Sequence, residues 1–322
     1  MRKIVSMLLI VCMLLTMTAC SGEEEYPADS VSVIITKAAG GATDTVVRCL
    51  TNLAESKDDK LSFVCENVVG ANGFTGMSQG ANAKSDGYTL TIIPAELSVM
   101  SQIDFYKAPV TLDDYRFVSV MMTIPMVLVV RADSDYKDIQ DFVDKLDAGT
   151  KVGNSGTYGM GDLAFSAAAQ GWGKECTTVP YADGDSAAIT ALVADNPELD
   201  AVCVCPSSVL DAQVQAGELK VLASFGTDTC YDAPLVSELD GEYGLDINFT
   251  TWAGIAVPDD TPDEVYDYLV DVFSKASSEQ EYSDTLEGYF INASQITGED
   301  AEVYVHEQYD SFGAILNDLN IE

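Results

Sequence analysis

The sequence predicts an α/β protein of two lobes, each a sheet flanked by helices. Three observations predict it. Strand-like and helix-like stretches alternate along most of the chain. The alternation comes in two series, separated by a long apolar run. The 322 residues also exceed one ordinary domain of roughly 100–200 residues.

Before the first series, Arg2-Lys3 precede an apolar run from Ile4 to Leu15, and small residues lead to Cys20. This is the layout of an export leader, and the run is too short to persist as a membrane-spanning helix. Met17-Thr18-Ala19-Cys20 resembles a bacterial lipobox, whose cysteine becomes the lipid-modified first residue. The expected division is a leader over 1–19, lipid attachment at Cys20 and a polar, lipid-anchored linker over 20–30. An ordinary secreted chain cut nearby is the competing reading. Losing Arg2 and Lys3 with the leader takes the formal net charge from −36 to −38. Such a surface repels phosphate backbones and anionic head groups, so no nucleic-acid partner is expected and attachment falls to the lipid.

In the first series, residues 32–36 (SVIIT) read as a short strand, 43–56 as a helix, 61–66 as a strand and 73–83 as a helix despite its glycines. A buried strand follows over 88–93. This order argues for a parallel sheet covered by helices. The apolar run 117–130 holds Pro125, which makes one uninterrupted central strand improbable. The second series has helices over 139–146, 161–169, 185–194 and 207–216, and strands over 151–154, 177–180, 200–204 and 220–224. After a strand-like run over 249–257, helices are expected over 262–276 and 298–317. The runs 117–130 and 249–257 are natural crossings between lobes.

Six further cysteines follow Cys20: Cys49, Cys65, Cys176, Cys203, Cys205 and Cys230. No CxxC spacing occurs, and Cys203 and Cys205 project from one face of a strand, a poor geometry for a mutual bond. Buried free thiols are expected, with disulfides as the alternative and no connectivity assigned.

In an open α/β sheet, ligands sit beyond the carboxyl ends of strands, where loops enter helices. Three such loops are rich in small residues: Ala38-Ala39-Gly40-Gly41-Ala42-Thr43, Gly70-Ala71-Asn72-Gly73 and Gly153-Asn154-Ser155-Gly156-Thr157. Each offers bare backbone N–H groups backed by a helix's partial positive charge. One such loop alone reads as a turn; three at equivalent positions describe an anion cradle. Hydrogen bonds to an ionised group contribute about 1.5–3 kcal/mol each, so a few suffice for a carboxylate without an arginine clamp. Thr43 fits an N-cap, and Asp44 fits either a first-turn carboxylate or a ligand contact. Arg48 stands one turn beyond Asp44, the spacing of an ion pair, with a pocket-facing position as the alternative.

Catalytic machinery is sparse. The one histidine, His306, lies in an expected amphipathic helix. Gly153-Asn-Ser155-Gly-Thr157 lacks the second glycine of a nucleophile elbow. Gly156-Thr-Tyr-Gly159-Met-Gly161 is misspaced for a dinucleotide fingerprint, and neither a nucleotide P-loop nor a metal-ligand spacing occurs. No enzyme activity, cofactor or metal is expected.

Several motifs, in order, resemble one family. They are Gly40-Gly41-Ala42-Thr43-Asp44; Val64-Cys-Glu66-Asn67 with Gly70-Ala-Asn-Gly73; Asp86-Gly87-Tyr88-Thr89-Leu90; Gly153-Asn-Ser155-Gly156; Val179-Pro180-Tyr181; Ala216-Gly217-Glu-Leu219-Lys-Val-Leu222-Ala223; and Trp252-Ala-Gly-Ile-Ala-Val-Pro258. Together they resemble the solute receptors of tripartite tricarboxylate transporters, the Bug-type binding proteins. The resemblance implies a periplasmic-binding-protein-like, Venus-flytrap fold, with one lobe of 31–129 plus 252–322 and the other of 130–251. It implies a small organic carboxylate in the cleft, gripped by the loop of Gly40 to Asp44 and covered by Ser155-Gly156-Thr157. The implied contacts are Ala39, Gly40, Gly41, Thr43, Asp44, Asn72, Gly73, Asn154, Ser155, Gly156, Thr157, Tyr158 and Tyr181. The implied partners are the integral-membrane subunits of a permease driven by an ion gradient, with the receptor an extracytoplasmic, lipid-anchored monomer. A carboxylate sensor that signals to a membrane partner is the alternative.

The chain departs from that family's pattern at Lys37-Ala38-Ala39, at Tyr158, at Asp162 and in the acidic stretch Ala182-Asp183-Gly184-Asp185. These departures fall where the ligand is expected to be chosen, among di- and tricarboxylates and acidic amino acids. Tyr158 and Trp252 fit the wall of the pocket, and Trp252 fits core packing equally.

Overall fold

The computed structural model describes residues 26–181, 183–195, 197–227, 229–288 and 291–321. The leader, Cys20 and the linker up to residue 25 lie outside them. Tyr26, near the end of the linker, is docked: its hydroxyl donates to the Gly87 carbonyl at 2.8 Å, and its ring meets Tyr88 and Tyr268 edge to face.

The first strand, β1 (Val31–Ile35), buries four of its five residues, as a strand covered on both faces must. Helix α1 (Ala42–Glu55) follows, and its Val46, Val47, Leu50 and Ala54 fall at helical spacing on one buried stripe. Then come β2 (Phe63–Asn67), α2 (Phe74–Ala81), β3 (Thr89–Pro94) and the short α3 (Glu96–Met100). The long apolar run divides as Pro125 requires, into β4 (Tyr115–Pro125) and β5 (Val127–Arg131). The second series is α4 (Ile139–Lys145), β6 (Lys151–Asn154), α5 (Met160–Gly171), β7 (Thr177–Pro180), α6 (Asp185–Leu192), β8 (Ala201–Val204), α7 (Ser208–Gln215) and β9 (Leu219–Ser224). The chain then runs through β10 (Thr250–Pro258), α8 (Asp263–Ser277), α9 (Gln280–Glu287), β11 (Asn292–Thr297) and α10 (Glu299–Asp318).

Two sheets result. The first has order β11-β4-β10-β3-β1-β2 and the second β7-β6-β8-β5-β9. Strands β1, β2 and β3 are parallel, as are β6, β7 and β8. The sheets as wholes are mixed, not parallel as the strand–helix alternation suggested. The crossing strands are the cause. β4 carries the chain out of the first sheet and β10 brings it back alongside, so the two are antiparallel, with Thr250 opposite Pro125. β5, which continues from β4, lies antiparallel to β8 and β9 for the same reason.

The two crossings are stitched where they meet. Met126 donates its amide to Phe249, Phe225 donates to Met126, and Phe249 donates to Phe225, at 2.9, 2.9 and 2.7 Å. A side chain at Gly226 would stand 2.5 Å from Pro125, so the junction admits only glycine there. Helix α10 spans both halves: Ala301 and Val305 pack in the cluster that holds Trp252, and Phe312 and Leu316 pack with Phe249 and Phe165.

All six cysteines among the described residues are free thiols, with Cys203 buried and the others half-buried. Burial pushes the Cys203 and Cys205 thiols well above the usual range, with the nearby Asp185 carboxyl adding to the effect. Among the described residues no helix is long and apolar enough to cross a membrane.

Candidate functional site

The carboxyl end of β1 runs through Lys37 to Ala39 and turns at Gly40, whose φ of +78° suits glycine. Gly41, extended at φ −78° and ψ 172°, is the N-cap of α1, and no side chain caps the helix. Thr43 is therefore the second helical residue and not the N-cap. Asp44, the third, reaches back over the loop: its Oδ2 accepts from the Gly40 amide at 2.9 Å, and its Oδ1 accepts from Arg48 at 3.0 Å and Asn67 at 2.9 Å. Asn67, the last residue of β2, also donates to the Lys37 carbonyl. The expected Asp44–Arg48 ion pair is thus present, and it fixes the loop. Burial would raise the Asp44 carboxyl, but Arg48's hydrogen bond and charge, with the Gly40 and Asn67 donors, hold it below the usual carboxylate range.

The second sheet repeats the device. Tyr158 takes the left-handed conformation at φ +58°, and Gly159, at φ −70° and ψ 165°, is the uncapped N-cap of α5. Asp162 in the first turn accepts from the Tyr158 amide at 2.8 Å and from Asn154, the last residue of β6, at 3.1 Å. A third loop is wound by Ala71, Asn72 and Gly73, all at positive φ, into the uncapped N-terminus of α2.

These three helix starts converge on one cavity of about 700 Å³ between the sheets. Of the residues the sequence nominated, Gly41, Thr43, Asn72, Gly73, Ser155, Gly156 and Thr157 line it. Ala39, Gly40, Asp44, Asn154, Tyr158 and Tyr181 are not in its wall. Gly40, Asp44, Asn154 and Tyr158 shape the loops, and Tyr181 donates its amide to Asn154 at 2.9 Å while packing beside the Ile189 cluster. The glycine amides are themselves engaged: Gly40 with Asp44, Gly41 with Ala38, Gly156 with Asn154 and Gly159 with Gly156. The donors left for a ligand are the first-turn amides of the helices behind them, such as those of Ala42, Thr43 and Met160.

Sequence reading missed several wall residues. Lys37 lies on the cavity and donates to Glu96 at 2.7 Å. Burial would raise the Glu96 carboxyl, but the charge and hydrogen bond of Lys37 and Glu96's own amide pull it below its ordinary value. Asp185, the first residue of α6, also lines the cavity, and its Oδ2 accepts from the Cys205 amide at 3.1 Å. Burial pushes this carboxyl above its ordinary value, Glu96 across the cleft adds to the shift, and the Cys205 and Ser155 contacts offset only part of it. Lys37 and Asp185 both sit in stretches that depart from the family's pattern, which was their signal; Glu96 gave none. Methionines 100, 122, 126 and 160 supply a soft apolar wall.

Trp252 is 1% exposed and packs edge-on to Phe117 and Tyr304. It is a core residue that also reaches the cavity wall. His306 is a half-exposed helix residue 3.8 Å from Glu302. Among the described residues no cluster of histidine, cysteine and carboxylate side chains is gathered to hold a metal ion.

Comparison with known proteins places this architecture. A family model described as tripartite tricarboxylate transporter family receptor matches residues 47–321. A UPF0065 protein of Agrobacterium vitis, from the TAR-I ttuE-ttuC' intergenic region, is 28% identical over 277 residues, 83% of this chain and 78% of that protein. A solved TctC solute binding protein from Polaromonas, without ligand, superposes with a TM-score of 0.78 at 24% identity, over 91% of this chain and 99% of that one. An R. palustris protein solved with adipate superposes with a TM-score of 0.76 at 18% identity, over 92% and 99% of the two chains. Both structures have the two-lobed fold described above.

Proposed function

This chain belongs to the tripartite tricarboxylate transporter receptor family, and on that premise we propose that it captures a small organic carboxylate between its lobes and delivers it to permease subunits in the membrane. One observation carries the reading. Three helix N-termini without side-chain caps, from two different sheets, open on a single cavity. Each brings a partial positive charge, and α1 and α5 add open first-turn amides, the features that hold a carboxylate; in α2 the Phe74 and Thr75 amides are taken by Ala71 and Gly70. The R. palustris neighbour's adipate is a carboxylate held by the same fold.

In this reading the lobes are 31–129 with 252–322, and 130–251, hinged at the stitched crossings. Ligand contacts to both lobes favour the closed form. The contacts are the cavity-lining members of the set proposed from sequence, with Gly40, Asp44, Asn154 and Tyr158 holding the loops. Cys20 carries the lipid that keeps the receptor at the outer face of the membrane, as a monomer. Titration calorimetry with a panel of short mono-, di- and tricarboxylates tests the proposal. At least one should bind at micromolar concentration or tighter, and failure of all of them alongside binding of a neutral sugar would overturn it.

A further inference from the structure

The cavity's charges do not balance. Among the described residues Lys37 is the one lysine or arginine in its wall, and it is already paired with Glu96. Asp185 on the opposite lobe has no such counter-ion: among the described residues no lysine or arginine pairs with it. One of its oxygens is fixed by the Cys205 amide. The other, Oδ1, is buried and makes no close hydrogen bond, although the Ser155 side chain stands near enough to act on the carboxyl. A buried carboxylate oxygen left without a donor is costly, and where it lines a binding cavity it marks a place for one.

Resting on the carboxylate-receptor reading, we infer that the ligand carries a protonated amine as well as its carboxylate, and that Asp185 receives the amine. An ammonium at Oδ1 gains an ionised acceptor while the Cys205 amide keeps Oδ2. The carboxylate end goes to the first-turn amides of α1 and α5. Closure of the lobes supplies a second reason. Glu96 already acts on Asp185 across the cleft, and bringing the walls together brings these acids together. A ligand bearing only carboxylates adds a third negative charge to that approach, whereas an ammonium between the walls offsets it.

The test uses the full chain and matched probes that differ by one ammonium: pentanoate against 5-aminopentanoate, and glutarate against glutamate, with cadaverine as the amine lacking a carboxylate. The native chain should bind the amino member of at least one pair about tenfold or more tightly than its partner, as one charge-assisted contact provides. Asp185→Asn, which keeps an acceptor for the Cys205 amide, should erase that preference, with an unchanged or higher Tm because a buried unpaired charge has gone. Asp185→Ser should do the same if asparagine disturbs the turn. Equal binding within every pair, or a preference that survives both variants, overturns the role of Asp185 and leaves the carboxylate reading standing. Binding of cadaverine alone overturns the carboxylate reading itself, and binding of none counts against both.

Discussion

The two loops that face each other across the cavity, Ala39 to Asp44 and Thr157 to Asp162, are the same device built from different residues. In each, a left-handed residue precedes a glycine N-cap, and an aspartate in the first turn reaches back four residues to the left-handed amide. In each, an asparagine that ends a strand holds the aspartate's other oxygen: Asn67 from the neighbouring β2 in the first, Asn154 from the loop's own β6 in the second. The difference lies in what surrounds the device. The first loop has Gly40 at the left-handed position and Arg48 on the aspartate. The second has Tyr158 there, and among the described residues no cation pairs with Asp162. The shared part is the geometry a helix start needs in order to face a ligand; the unshared part sets how firmly each loop is held.

The largest effect should come from crowding the shared part. A Cβ at Gly41 lies 3.3 Å from the Ala38 carbonyl, and at Gly159 3.0 Å from the Gly156 carbonyl. Gly41→Val places a branched side chain beside the amides of Ala42 and Thr43. Losing two charge-assisted hydrogen bonds there should weaken binding about 100-fold or more, with Tm little changed. Gly159→Val should weaken binding as much and also lower Tm, because its contact is the tighter. Calorimetry and thermal melts of the two variants separate these outcomes. Unchanged affinity in both would reduce the loops to turns.

Next in size is the aspartate pair. Asp44→Asn removes the charge that Arg48 pairs with, leaving the guanidinium only its bond to Asn67, and should cost about 1–3 kcal/mol of stability. Asp162→Asn should cost less, since no cation is stranded. The sign of the pH effect follows from the lowered Asp44 carboxyl. Its stabilisation is present above the unfolded value of about 4 and is lost as pH falls through the lower folded value. The stability gap between the native chain and Asp44→Asn, measured by urea melts, should therefore be full at neutral pH and close in acid. A gap that persists well below pH 2 would show that Asp44 acts by shape and not by charge.

What the sequence disclosed of this pair follows from what each part depends on. Strand and helix order depends on local periodicity, so α1, β6 and the division at Pro125 were legible. Sheet direction depends on which strands cross between lobes, a long-range fact, so the mixed sheets were not. Edge strand β11 (NASQIT) buries only Ser294 and carries little apolar signal. The five-residue α3 is shorter than a periodicity can declare. Within the site, glycines announced the loops, since a left-handed turn restricts the residue type. Glu96 reaches the cavity only because β3 delivers α3 there, and no local pattern encodes that. Asp44's commitment to the loop was equally hidden, because the Asn67 that holds it lies 23 residues away.

A smaller effect tests the left-handed position. A Cβ at Gly40 meets nothing within 4 Å, so Gly40→Ala isolates the backbone cost of φ +78°, about 1 kcal/mol. Tyr158→Gly removes the same cost from the second loop but also the ring that packs on the second lobe's core and beside Tyr106. Its Tm should stay within what about 1 kcal/mol allows, because the two changes oppose each other. A large loss in Tyr158→Gly would mean that the ring, and not the turn, holds the second loop.

The smallest effect concerns a hydrogen bond from the segment before β4 to the second loop. The Tyr106 hydroxyl donates to the Thr157 carbonyl at 3.2 Å, and Thr157 lines the cavity. This bond does for the second loop part of what Arg48 does for the first, but it is exposed and single, and such bonds contribute about 0.5–1.5 kcal/mol. Tyr106→Phe keeps the ring and removes the bond, so the loop must then be ordered when ligand arrives. Affinity should fall about two- to fivefold, seen as faster dissociation in stopped-flow traces, with Tm nearly unchanged. Tighter binding in Tyr106→Phe would reverse the comparison. The bond would then hold the second loop in a conformation that the ligand has to break, and the two loops would differ in function as well as in how firmly they are held.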